Sequence, residues 1–317
     1  YPPAPGVSRA LREMDPETFR KYPDPAANML TEALASRYHV GKDQVFVGVG
    51  SDDVIGMEFL TFFNSEKPVL FPDISYSFYP VWAQLFGIPY QTPKLDLDFR
   101  IRKEDYRQEN GGVIFPNPNA PTGLAMDLEE VEEIIRDNQD VVVIIDEAYV
   151  DFGAQSALPL VSKYENLLVV QTFSKSRSMA GMRIGYGIGH PDLIRALNDV
   201  KYSYNSYTMN MPSIILGTEA VKDDSYFYQT LEKIKKTREE TKIWMKELGF
   251  SFPDSQANFL FATHSQVKAE VIFEALKQEQ IYVRYFKKPR LDNSLRITIG
   301  TDEEMAALRG FLETFLN

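Results

Sequence analysis

Five consecutive β-branched residues, Val141-Val142-Val143-Ile144-Ile145, run straight into Asp146-Glu147-Ala148-Tyr149. A run with no polar alternation has no face to offer to water. It therefore reads as a strand covered on both sides, in the middle of a parallel sheet. A carboxylate at the end of such a strand is costly unless something pairs with it. Asp146 thus needs a cationic partner or a ligand proton, and a structural salt bridge would serve equally well. The pattern strand, loop, helix recurs at least five times between residues 40 and 200, which predicts a mostly parallel, doubly wound α/β sheet. Ligands of such sheets bind beyond the carboxyl ends of the strands.

The other strand exits carry chemistry too. After a strand at Gln44–Gly48 come Gly50-Ser51-Asp52-Asp53 and an apolar helix, Val54 to Phe63. That is a helix N-terminus with free amides, able to hold a phosphate, or an ordinary capped helix. After Val69–Asp73, the patch Ile74-Ser75-Tyr76-Ser77-Phe78-Tyr79 could stack on a flat ring or pack under a helix at Tyr79–Phe86. After Val113–Phe115, the segment Pro116-Asn117-Pro118-Asn119-Ala120-Pro121-Thr122-Gly123 forces a fixed turn that can aim polar groups. After Leu167–Val170 come Thr172-Phe173-Ser174-Lys175, with Arg183 following among glycines. A lysine leaving a buried strand is placed for Schiff-base chemistry, and Arg183 suits bidentate contact with a phosphate. Alone, this segment is also what a solvated lysine and a glycine turn look like. Together the exits supply an amine, an anion cradle with an arginine, a stacking aromatic, a buried carboxylate and a phenol. That is the inventory for pyridoxal phosphate: the carboxylate keeps the ring nitrogen protonated, the phenol meets the ring hydroxyl, and amides and arginine hold the phosphate.

Composition removes other classes. The formal charge of −11 argues against nucleic acid or an anionic membrane surface as partner. There is no cysteine, and His39, His190 and His264 lie too far apart to suggest a metal site. The longest wholly aliphatic run is too short to span a bilayer. Tyr1 to Gly6 has neither a charged n-region nor an apolar h-region, so a soluble cytoplasmic protein is expected. The chain lacks a starting methionine, which leaves the true N-terminus open.

GSDD, PDISYSFY, NPNAPTG, DEAYVDF and TFSKSRSMAGMRIGYG stand in the order and spacing of fold-type I aminotransferases. The segments Tyr22-Pro23-Asp24-Pro25, Ser255 to Leu260 and Leu295 to Gly300 fit as well, and nearly the whole chain resembles the histidinol-phosphate aminotransferases. The resemblance implies a pyridoxal-phosphate-dependent transamination between histidinol phosphate and 2-oxoglutarate, giving imidazole-acetol phosphate and glutamate, in histidine biosynthesis. It implies that Lys175 carries the cofactor and shuttles a proton, Asp146 pairs with the ring nitrogen, Tyr149 meets the ring oxygen, and Tyr76 stacks on the ring. Ser51, Asp52, Ser174 and Arg183 would hold the phosphate with Thr172 close by, and Tyr22 would reach the phosphate site of the partner in a homodimer. Tyr1, Asn205, Arg284 and Arg296 would contact substrate, Arg296 by its carboxylate and Arg284 by its phosphate. Ala120 stands where the family has an asparagine on the ring oxygen, and Asn119 next door is the candidate substitute. The alternatives are an aromatic amino-acid transaminase, a threonine-phosphate-type decarboxylase, or a regulatory module that binds the cofactor without catalysis.

The expected organisation is an N-terminal arm over 1–27, a large cofactor-binding domain over 28–222 and a small C-terminal α/β domain over 223–317. Within it, the first six residues are excluded from helix by their prolines and glycine, and Asn28–Tyr38 and Asp127–Asp137 form helices. The stretch Tyr202 to Tyr207 either lines the substrate pocket or packs. A long helix at 226–248 presents a stripe of Phe227, Leu231, Ile234, Ile243 and Met245. The small domain contains strands at Phe259–Phe261, Ile281–Val283 and Leu295–Ile299 and a helix at Val267–Gln280.

Overall fold

The computed structural model describes residues 1–316. Its larger sheet is built from β1 (Val45–Gly48), β2 (Val69–Leu70), β3 (Tyr90–Gln91), β4 (Gly112–Pro116), β5 (Val143–Asp146), β6 (Leu167–Thr172) and β7 (Gly185–Gly189). The strand order is β1-β7-β6-β5-β4-β2-β3. The pairs from β3 through β2, β4, β5 and β6 are parallel, and β7 runs antiparallel to both β6 and β1. The accompanying helices are α1 (Pro5–Glu13), α2 (Asn28–Tyr38), α3 (Ser51–Phe62), α4 (Tyr79–Phe86), α5 (Leu128–Asp137), α6 (Pro191–Tyr204) and α7 (Met211–Lys222).

Side chains alternate across each strand, and here both faces are roofed. Val113, Phe115, Val143, Ile145, Leu167 and Val169 pack with Leu30 and Leu34 of α2, Ile135 of α5 and Leu216 of α7. Ile114, Ile144, Leu168 and Val170 point the other way, to Val54 and Phe59 of α3, Trp82 of α4 and Leu197 of α6. This is why β5 shows no polar alternation in sequence. Each such side chain contributes about 1.5–3 kcal/mol by burial.

A long helix, α8 (Asp224–Glu247), leads to a second sheet of β8 (Phe250–Ser251), β9 (Phe259–His264), β10 (Arg284–Tyr285) and β11 (Leu295–Thr298), ordered β10-β11-β9-β8. Its core is closed by Trp244 and Met245 of α8, Ile272 and Leu276 of α9 (Ala269–Gln278), and Met305 and Leu308 of α10 (Asp302–Leu316). No helix among the described residues is long and apolar enough to cross a membrane.

Four local expectations change. Helix α1 already begins at Pro5, because proline at the first helical turn costs no hydrogen bond. Ile243 is 62% exposed and is not part of the α8 stripe: two residues from Met245, it sits on the opposite side of the helix. No strand forms at Ile281–Val283. The Ile281 amide is spent on Leu276 O at 2.9 Å, with Gln280 at φ 60 ending α9, so sheet pairing starts only at Arg284. Helix α7 escaped notice because it is buried nearly all round, from Ser213 and Ile214 to Val221, and has no amphipathic period to detect.

One residue of α3 breaks the apolar pattern. Glu58 is fully buried, and neither carboxylate oxygen has a hydrogen-bond partner. Burial, and then the charge of Asp146, pushes its carboxyl well above the ordinary 4.5, so the folded chain keeps it protonated. The unfolded chain releases that proton above about 4.5, so the group opposes folding increasingly as pH rises past that value and does so least below it. Replacing Glu58 with methionine should therefore stabilise the protein by about 1–3 kcal/mol at neutral pH. Denaturant midpoints should show a smaller gain at acid pH, and a gain independent of pH would contradict a buried, linked proton.

Candidate active site

The carboxyl ends of β1, β4, β5 and β6 surround a cavity of about 170 Å³. Asp146, Ala148 and Tyr149 enter it from β5, and Ser174, Lys175, Ala180 and Arg183 from the turn after β6. Ser51 and Asp52 at the start of α3, Tyr76, Pro116 and Ala120 complete the wall.

Asp146 lies at the end of a strand with nowhere to place its charge in water, and it is 5% exposed. Burial pushes its carboxyl up to about 6. The Tyr79 hydroxyl, donating at 2.8 Å, and the Ala148 amide, donating at 3.1 Å, pull it back. No lysine or arginine among the described residues forms a salt bridge with it. The carboxylate is held rigidly and without a salt bridge: the nearby Asp52 charge raises it further, and the Lys175 amine lowers it only through space.

The turn after β6 is braced on every side of Lys175. Thr172 Oγ1 takes the Ser174 amide at 3.2 Å and also bonds Ile184 O at 3.2 Å, and Phe173 is wholly buried. Ser176 Oγ donates to Asp151 at 2.5 Å, and Arg177 donates to Ala220 O at 2.7 Å with its plane 4.3 Å from the Phe227 ring centre. Between these anchored neighbours, Lys175 is sent into the cavity. Its amine lies 5.4 Å from the centre of the Tyr149 ring and makes no hydrogen bond to a described residue.

Opposite, the chain makes room for an anion. Arg183 sits at φ 50, with its guanidinium only 3.5 Å from Asp52 Oδ2 and 3.4 Å from Ala180 O. Most of its donors remain available. Gly50, at φ 91, permits this approach, since a Cβ there would stand 2.6 Å from the guanidinium. A Cβ on Gly185 would meet the Ser51 amide at 2.3 Å, so glycine is also required where β7 passes the start of α3. The first amides of α3 open towards this corner. Tyr76 donates to Asp52 Oδ1 at 2.7 Å, and burial followed by that carboxylate raises its phenol.

Ser51, Asp52, Tyr76, Asp146, Tyr149, Ser174, Lys175 and Arg183 thus share one cavity. The remaining candidates do not line it. Asn119 is turned away: its amide nitrogen is tied to Ile74 O at 3.0 Å and Thr122 Oγ1 at 3.2 Å, and the wall is Ala120 instead. Thr172 shapes the lysine turn from behind. Tyr22 is 81% exposed, its ring tilted against Tyr207 with centres 4.7 Å apart, and Asn205 ends α6 with its amide on Lys201 O. Tyr1 packs with its ring centre 5.6 Å from the Lys233 amine, near Asp302 and Glu303. Arg284 and Arg296 face each other across β10 and β11 with the Phe286 ring 5.5 and 5.9 Å from their guanidinium carbons. Arg296 also lies 5.1 Å from the Phe259 ring, which meets Tyr149 edge-on at 5.0 Å, and its buried Nε has no partner.

Sequence reasoning missed Tyr79, whose buried hydroxyl fixes the carboxylate of Asp146. The signal was the paired need: a carboxylate ending a buried strand, and a second tyrosine one helical turn beyond Tyr76.

The donor set fits pyridoxal phosphate on this structure's own terms. A buried carboxyl without a salt bridge matches a protonatable ring nitrogen, a free amine matches an aldehyde, and an undersaturated arginine at a helix N-terminus matches a phosphate. With Ala120 apolar and Asn119 engaged elsewhere, Tyr149 is the hydroxyl left for the ring oxygen.

The family model for aminotransferases of class I and II matches residues 2–312. A histidinol-phosphate aminotransferase of Lactococcus lactis subsp. cremoris (strain MG1363) is 48% identical over 316 residues, covering 100% of this chain and 89% of that protein. One from Brachyspira hyodysenteriae is 49% identical over 306 residues, covering 96% of this chain and 86% of the relative. Among solved structures, the histidinol-phosphate aminotransferase of Sinorhizobium meliloti in complex with pyridoxal-5'-phosphate superposes with a TM-score of 0.89 at 24% identity, over 99% of this chain and 89% of that one. At that identity it speaks to the fold alone.

Proposed function

The chain belongs to the aminotransferase class I and II family, and from that premise we propose that it exchanges an amino group between histidinol phosphate and 2-oxoglutarate with pyridoxal phosphate as cofactor. The observation that carries the reading is the Lys175 amine, free of hydrogen bonds, and the buried Asp146 carboxylate, without a salt bridge, lining one cavity.

When bound, pyridoxal phosphate supplies an aldehyde and a ring that draws electrons from the substrate carbon. Asp146, oriented by Tyr79 and Ala148, holds a proton at the ring nitrogen. Lys175 anchors the cofactor and then moves a proton from one substrate carbon to its acceptor, as a general base whose amine has no competing hydrogen bond. Tyr149 donates to the ring oxygen, while Ser51, Ser174, Arg183 and the α3 amides hold the phosphate. Arg296 takes the carboxylate of glutamate or 2-oxoglutarate, and Arg284 takes the phosphate of histidinol phosphate. Phe259 and Phe286 pack beside Arg296, and Phe286 also beside Arg284.

The same reading divides the chain into an arm over 1–27, a large domain over 28–222 and a small one over 223–317. It makes the protein a cytoplasmic homodimer in which Tyr22, free of its own cavity, reaches the phosphate of its mate. The two sheets with separate cores and the exposure of Tyr22 support it.

The test is a panel of amino donors against the cofactor-loaded protein. A charge-assisted contact is worth about 1.5–3 kcal/mol, so histidinol phosphate should exceed phenylalanine by about 10²-fold in kcat/KM. Equal rates would favour an aromatic-amino-acid transaminase.

A further inference from the structure

Two non-glycine residues in the left-handed region, Phe99 at φ 63 and Arg290 at φ 68, meet each other across the two sheets. Such backbone is strained and persists where the surroundings demand it. Arg290 stands in the loop between β10 and β11. Its guanidinium donates to Leu95 O at 3.0 Å and to Asp96 O, and lies 4.9 Å from the centre of the Phe99 ring. The carbonyls belong to a tight turn in which Asp96 N bonds Arg100 O at 3.0 Å and Asp96 Oδ1 takes the Arg100 amide at 2.8 Å. Beneath the arginine, Leu95 and Ile74 from the larger sheet's side pack with Phe261 and Leu291 from the smaller, and Phe99 meets Phe261 edge-on at 5.7 Å.

This contact touches both halves of the site. Ile74 precedes Tyr76 by two residues, and its carbonyl holds Asn119 beside Ala120, so one end of the cluster is the back of the cavity wall. At the other end, the loop 286–294 closes the hairpin whose facing pair is Arg284 and Arg296. Strand β11 is paired with β9 on its other side, while β10 is a two-residue edge; a grip at the loop joining them fixes how the pair lies against the larger sheet. The geometry points to Arg290 as a positioning residue: by gripping the Leu95–Asp96 turn and the Phe99 ring, it sets Arg284 and Arg296 over the cofactor cavity. This rests on the reading of those two arginines as substrate contacts. Arg290 itself is largely solvent-exposed and touches neither substrate nor cofactor. A planar fork is needed because two carbonyls and a ring face are served at once, which a lysine amine cannot do.

The experiment uses the cofactor-loaded, full-length protein with Arg290→Met and Arg290→Lys. Three readings are taken: cofactor affinity, steady-state constants for glutamate and for histidinol phosphate, and amide deuterium uptake. Arg290→Met should keep cofactor affinity and kcat within about twofold while KM for both substrates rises about tenfold, since small displacements of binding groups are costly. Deuterium uptake should rise together in 95–101 and 286–294, and Arg290→Lys should fall between the variant and the parent. Raised uptake with unchanged KM would reduce the contact to a structural tie and overturn the proposal, as would unchanged uptake. Should histidinol phosphate prove not to be a substrate, the glutamate KM and the exchange pattern still decide the role of Arg290, so the two failures are distinguishable.

Discussion

Lys175→Ala should lower turnover by about 10⁴-fold or more, because one side chain supplies both the anchor for the cofactor and the proton carrier. No second amine lines the cavity to take its place. The turn that presents Lys175 is held by its neighbours, through Thr172, Phe173, Ser176 and Arg177, so the variant should fold and keep its melting temperature. Borohydride reduction followed by peptide mass analysis separates the roles: the parent should carry the reduced cofactor on Lys175, and the variant should carry none. Lys175→Arg tests charge against proton transfer. A guanidinium keeps the positive charge but does not give up its proton, so it should be as inactive as alanine. Turnover in Lys175→Ala within about tenfold of the parent would remove the lysine from the chemistry.

What was legible in the sequence follows from which physical constraints act locally. A strand buried on both faces must be apolar without interruption, so β5 and β6 could be read at once, and their exits located Asp146, Tyr149 and Lys175. Gly50 and Arg183 stand out separately, as a strand-exit glycine before a helix and an arginine among glycines; that the guanidinium packs on Gly50 is a contact only the fold shows. Contacts between distant segments left no such trace. Nothing in the order of residues says that Tyr79 reaches Asp146, that Asn119 is claimed by Ile74, or that Arg290 lands on the turn at Leu95. The strand expected at Ile281–Val283 failed for a related reason: its β-favouring composition was outweighed by an amide already used to end α9.

Asp146→Asn is the second large effect, and it separates binding from catalysis. On the proposed reading the cofactor's phosphate would be held by Ser51, Ser174 and Arg183 rather than by Asp146, so the variant should still load. What it loses is the negative charge facing the ring, and one of the two oxygens that accept from Tyr79 and Ala148 becomes a donating amide nitrogen. Removing one aimed electrostatic contact of this kind costs about 10²–10³-fold in turnover. The parent carries a proton linkage that the variant lacks. Its carboxyl, pushed up to about 6 by burial, is neutral below that pH before a cation arrives. Cofactor affinity of the apoprotein should therefore weaken as pH falls through about 6 in the parent and stay flatter in Asp146→Asn. Stability runs the opposite way. The unfolded chain ionises near 3.8 and the folded one near 6, a gap worth about 3 kcal/mol against folding at neutral pH. That opposition is absent below about 3.8, where both states hold the proton. Apo Asp146→Asn should thus melt higher than the apo parent at neutral pH, with the difference shrinking in acid, while its turnover collapses. Near-normal turnover in the loaded variant, or an apo form no more stable than the parent, would mean that Asp146 already has a cation in the empty protein and is not waiting for one from the ring.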